Sequence, residues 1–110
     1  MPDRPRPASD ARQRQGAAKQ LAIAALIFIA AEHNRFARFV DLSGITVESI
    51  RAFAHEPDFL AGVLDHLVSD EVLLLTFAAE NEIDPHDVLA ARDLLAGAHG
   101  ERNRPQGASG

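Results

Sequence analysis

Two helix breaks of similar build govern this chain. Phe39-Val40-Asp41-Leu42-Ser43-Gly44-Ile45-Thr46 and Phe77-Ala78-Ala79-Glu80-Asn81-Glu82-Ile83-Asp84 each close an apolar helical segment. Each then passes through a short polar break, presents one isoleucine and reaches a capping residue. Gly44 tolerates the left-handed exit of a helix. Thr46 and Asp84 offer a side-chain oxygen to the unpaired amides that open the next one. This punctuation predicts an all-α fold, a compact bundle of about five to six short helices.

The periodicity around the breaks places the helices. The first runs from about Ala17 to Glu32, with Leu21, Ala25, Leu26 and Ile29 on one face. Ile23 and Ile27 lie nearly opposite that face, and Phe28 lies to one side. A helix that is apolar on every side is either central or holds a second face against a partner. Ile23, Ile27 and Phe28 are therefore the candidate interaction surface. A second helix, about Arg35 to Leu42, turns Phe36, Phe39 and Val40 inward. A third, about Val47 to Ala54, buries Val47, Ile50 and Phe53. Pro57 suits the first turn of a fourth helix ending near Val68, amphipathic through Phe59, Leu60, Val63, Leu64 and Leu67. The fifth, Asp70 to Glu80, carries Val72-Leu73-Leu74-Leu75 around its whole circumference, which predicts a central position. Helices 1 and 5 are thus expected to be the most buried, packing near Leu26, Ile29, Leu74 and Phe77. The sixth opens with Asp84 as cap and Pro85 in its first position and fades at Gly97.

An offset of 38 residues lays 21–53 over 59–91. Leu26 then meets Leu64, Ile29 meets Leu67, Phe39 meets Phe77, Ile45 meets Ile83 and Ile50 meets Val88. The pattern is compatible with two similar three-helix units. They differ where Ile23, Ile27 and Phe28 fall opposite Ala61, Asp65 and His66.

The ends have no apolar period. Residues 1–16, with Pro2, Pro5, Pro7, Ser9 and Gly16 among isolated charges, read as a disordered basic arm. Residues 98–110 read as a disordered tail, which leaves 17–97 as the helical domain. Charge is distributed accordingly: +3 over residues 1–19, −9 over 20–100 and +1 over 101–110, for a net −5. So acidic a body repels phosphate backbones and anionic membranes, which makes nucleic acid and membrane unlikely partners. The Ser43–Thr46 break does mimic a helix-turn-helix. Its second helix offers Glu48 and Arg51 without the surrounding basic groups that a reading helix needs.

No segment carries recognisable chemistry. The chain has no cysteine, which excludes disulfides, thiolate metal sites and cysteine nucleophiles. Its five histidines show no His-x-x-x-His pair with a third ligand at suitable spacing, so no metal or cofactor is expected. His66 and Asp70 are four apart, but Ser69-Asp70 breaks the helix between them. Asp65, Asp70 and Glu71 are better explained as helix-end carboxylates than as an acid–base pair. No glycine-rich phosphate loop or nucleophile elbow occurs, and no catalytic residue is assigned. The run Leu21–Ala31 has the length of a secretory signal core. Cleavage after Ala31 would remove the helix that best completes the core, so a cytoplasmic location is the expectation.

Glu56-Pro57-Asp58-Phe59-Leu60-Ala61-Gly62-Val63-Leu64-Asp65 and Ser69-Asp70-Glu71-Val72-Leu73-Leu74-Leu75-Thr76-Phe77-Ala78 resemble a small bacterial family. It is catalogued as domain of unknown function 3572. Arg38-Phe39-Val40-Asp41-Leu42-Ser43-Gly44 and Ile83-Asp84-Pro85 sit where similar proteins have them. The resemblance covers about residues 19–95 and implies a short helical bacterial protein, with no activity to carry over. It also implies an apolar or aromatic residue at the position of His66. The expected function is a non-enzymatic protein–protein interaction module, its partner another protein or a second copy. The alternatives are a small-ligand-binding protein or enzyme with an unrecognised pocket, and a weak nucleic-acid binder using the basic arm.

Overall fold

The structure is a computed structural model that describes the backbone of residues 7–103 and the side chains of residues 12–97. Within these residues lie six helices: α1 (Pro7–Ala30), α2 (His33–Ser43), α3 (Val47–Phe53), α4 (Pro57–Val68), α5 (Glu71–Glu80) and α6 (Pro85–Asn103). The readings of residues 1–6 as an arm and 104–110 as a tail lie outside the described residues.

The breaks form as their residues dictate. Gly44 sits at φ 75° and returns its amide to the Val40 carbonyl at 2.8 Å, closing α2 with a single left-handed residue. Thr46 Oγ1 accepts the Ser49 amide at 3.1 Å and starts α3. Glu56 is extended ahead of Pro57, the first residue of α4. Asp70 Oδ1 accepts the Leu73 amide at 3.2 Å and starts α5. Asp84 Oδ1 accepts the His86 amide at 2.9 Å at the start of α6. That bond, with a further one from the His86 ring, holds the Asp84 carboxyl below the usual carboxylate range.

The second break closes differently from the first. Glu82, at φ 54°, takes the left-handed position that Gly44 takes earlier. The Ile83 amide reaches the Ala78 carbonyl at 2.9 Å and the Glu82 amide the Ala79 carbonyl at 3.4 Å. These are the paired bonds of a Schellman ending. Helix boundaries also recur at the 38-residue offset. His33 and Glu71 open α2 and α5, Val47 and Pro85 open α3 and α6, and Ala30 and Val68 close α1 and α4.

The core lies among α1, α4 and α6. Leu60, Val63, Leu64 and Leu67 of α4 are wholly buried, as are Ala22, Ala25 and Ile29 of α1 and Val88 and Leu95 of α6. Burying each of the large aliphatic side chains contributes about 1.5–3 kcal/mol. The central helix beside α1 is therefore α4, not α5. On α5 only Phe77 and Ala78 are buried, Leu74 is half-buried, and Val72 is 75% exposed. An apolar circumference without a period does not say which side is covered, and a ten-residue helix held by short turns docks on one side only.

Three other expectations change. α6 runs on through Asn103 instead of fading at Gly97, so the first six residues read as tail are helical. α1 begins at Pro7 instead of Ala17. Gly16 costs a helix about 1 kcal/mol, but Ala11, Arg12, Gln13, Arg14, Gln15, Ala17 and Ala18 around it are all strong helix formers. α3 buries none of its residues: Val47 and Phe53 are about half exposed and Ile50 is half-buried. Its seven residues, ended before Pro57, are too few to reach across the core.

Candidate functional site

The candidate surface on α1 divides between outside and inside. Ile27 is 63% exposed, Ile23 is half-buried, and Phe28 is 6% exposed and belongs to the core. Phe28 is turned inward by what it meets. Its ring packs edge-on against Phe77 with centroids 5.3 Å apart. The Arg35 guanidinium lies 3.9 Å from its centroid, a cation–π geometry, and donates to the Phe28 carbonyl at 3.0 Å. Arg35 is held in turn by Glu32 at 3.6 Å. One side chain thus covers the ring and closes the end of α1. Two arginine contacts to one residue seven positions earlier have no periodic signature, so a helical wheel cannot assign Phe28.

Ile27 has a counterpart at the 38-residue offset. Thirty-eight residues on, Asp65 stands on α4 in an ion pair with Arg92 of α6 at 3.3 Å, and its side chain is 62% exposed. The two positions are equally open, one occupied by a solvated charge and the other by a bare isoleucine. Further exposed apolar side chains are Leu42 on α2, Val47 and Phe53 on α3, and Val72 and Leu75 on α5.

Three open grooves accompany these side chains. One of about 330 Å³ lies between α1 and α6, lined by Ala17, Ala18, Leu21, Ala90, Ala91 and Leu94. A second, about 390 Å³, lies between α2 and α4 and holds Leu42, Asp65 and His66. A third, about 300 Å³, lies between α3 and the start of α4, with Ile45, Phe53 and Phe59. The hydroxyls in the second groove are committed locally: Ser43 donates to the Phe39 carbonyl and Ser69 to that of His66.

His66 is half-buried beside α2, its ring edge-on to Phe39 with centroids 5.0 Å apart. Burial lowers its pKa from the ordinary 6.5, Arg38 lowers it further, and Asp70 opposes both. His66 and Asp70 are therefore coupled electrostatically across the α4–α5 break, without forming a bonded pair. Among the described residues no polar or charged side chain is buried, and no group of three His, Cys, Asp or Glu is placed to hold a metal ion. No single helix among the described residues is long and apolar enough to cross a membrane; α1 and α2 combine that length with that hydropathy only jointly, across a bend of 114°.

No curated protein and no solved structure matches the chain. A family model does, described as protein of unknown function (DUF3572), and it matches residues 15–98. That span holds most of α1, all of α2 to α5 and the buried part of α6, and the chain belongs to this family.

Proposed function

We propose that this domain is a non-enzymatic protein-interaction module of the bacterial cytoplasm, and that it engages its partner through the outer side of α1 around Ile23 and Ile27. The observation that supports this most directly is the exchange at the repeated position. Asp65 satisfies an exposed site with a charge and an ion pair to Arg92, whereas Ile27 leaves the equally exposed site apolar. An isolated exposed isoleucine is ordinary on a protein surface. One that joins half-buried Ile23 on the same helix face forms the beginning of a contact patch. A second copy of the chain and a different protein are both within this reading.

Ile27→Asp tests it. The side chain is exposed, so the variant should keep its helical circular dichroism and melt within a few degrees of the parent. Light scattering should then show a smaller particle if the partner is a second copy. If the partner is another protein, quantitative affinity enrichment from the native host should show a specific component lost with the variant. A variant that folds, keeps the parent's size and retains every enriched component removes the α1 surface from consideration.

A further inference from the structure

The two halves of the chain hold each other through ring contacts that are counterparts. The 38-residue offset relates Phe28 to His66 and Phe39 to Phe77. Phe28 of the first half meets Phe77 of the second at 5.3 Å and 62°, fixing α5 to α1. His66 of the second half meets Phe39 of the first at 5.0 Å and 72°, fixing α2 to α4. Phe39 and Phe77 are both wholly buried. One contact is therefore the other with the halves exchanged, except that a phenyl ring in the first is an imidazole in the second.

That exception changes what the contact can do. The Phe28·Phe77 pair has nothing to titrate, and its cover is the Arg35 guanidinium 3.9 Å from the Phe28 centroid. We propose that His66 makes the α2–α4 contact an acid-sensitive latch. At neutral pH the uncharged imidazole packs against Phe39. Its protonation places a charge on a half-buried ring held against an apolar neighbour, and α2 loosens from α4. Phe39 is then uncovered three residues from Leu42, which is already 65% exposed. α5 stays docked, because its own ring contact is indifferent to acid.

The charges around His66 set the direction. α2 brings Arg38, which opposes a second positive charge, and the cap of α5 brings Asp70, which favours it. On α4 itself Asp65 lines the same groove and is engaged by Arg92 of α6 at 3.3 Å. Burial and Arg38 prevail over Asp70, so the docked state binds the proton less readily than a released α2 would. The stabilisation supplied by neutral His66 is complete above about pH 6.5, the ordinary histidine value. It is lost as pH falls from there through the lowered docked-state value.

The experiment is amide hydrogen exchange on the full chain at pH 7.5 and 5.0, expressed as protection factors so that intrinsic exchange is divided out. Protection at Phe39 and Val40 should fall a few-fold more on acidification than protection at Phe77 and Ala78. His33 is a second histidine on α2, exposed at its first position. It remains in variants at position 66, which therefore isolate what His66 does. His66→Phe, which restores the ring of the other contact, should abolish the α2-specific fall. His66→Gln, polar and unable to titrate, should do the same, and it carries the test if the phenylalanine variant repacks or fails to fold. Equal loss of protection in α2 and α5 overturns the latch. So does an undiminished α2-specific fall in His66→Gln, or an NMR titration placing His66 at or above 6.5.

Discussion

The two halves of this molecule share their breaks and differ in their third helices. In the first half α3 runs for seven residues, stops ahead of Pro57 and buries nothing. In the second, α6 runs for 19 residues and places Val88, Ala91 and Leu95 in the core against α4 and α1. The opening residues are equivalent, with Thr46 and Asp84 each capping through a side-chain oxygen. What separates the halves is the length of chain that stays helical after the cap. Caps decide where a helix begins, and uninterrupted length decides whether it can join a core.

The largest test of this comparison is at its two buried rings. Phe77→Ala should cost about 3–5 kcal/mol in urea unfolding, and Phe39→Ala a similar amount at pH 7.5, since both side chains are wholly buried. A loss below ~1 kcal/mol at either position would break the equivalence of the two ring contacts. The next test contrasts the unequal helices. Leu95→Ala, from a fully buried site on α6, should cost about 2–5 kcal/mol. Phe53→Ala, from a half-exposed site on α3, should stay below ~1 kcal/mol. If the two losses are equal, α3 supports the core as firmly as α6 does.

The smallest effect sharpens the comparison at the breaks themselves. Gly44 and Glu82 hold the same left-handed place, at φ 75° and 54°. Gly44→Ala should destabilise by about 1 kcal/mol, and Glu82→Gly should be neutral or stabilise by up to ~1 kcal/mol. Thermal melts of the two variants should move in opposite directions or, for Glu82→Gly, not at all.

The breaks were the legible part of the fold because their chemistry is local. Gly44, Thr46, Pro57, Asp70 and Pro85 act on atoms within four residues, so their positions alone carry the message. The choice of central helix was not legible. Val72-Leu73-Leu74-Leu75 has no period, and burial there depends on which neighbours happen to cover α5. Phe28 was unreadable for the same reason. Its burial is decided by Phe77, far along the chain on α5, and by Arg35 reaching back across a turn. The offset that pairs Phe28 with His66 was visible in the chain. That the two residues make exchanged versions of one contact needed three dimensions. The candidate surface was half legible: Ile23 and Ile27 come from the wheel, whereas the meaning of Ile27 rests on the Asp65–Arg92 pair at its counterpart.

The groove shared by α1 and α6 joins the first of the described helices to the sixth. This has a consequence in time. During synthesis α1 leaves the ribosome with Ala18, Ala22, Ala25 and Ile29 uncovered, and Leu95 is made much later. At typical rates of about 5–20 residues per second the wait lasts several seconds. α2 and α3 bring little to shelter it meanwhile, since Phe39 is the one side chain they bury. The nascent first half is therefore an apolar helix awaiting α4 and then α6, and a chain that stalls before α6 leaves open the sides of α1 and α4 on which α6 packs. Completion of α6, which packs on both α1 and α4, closes the core.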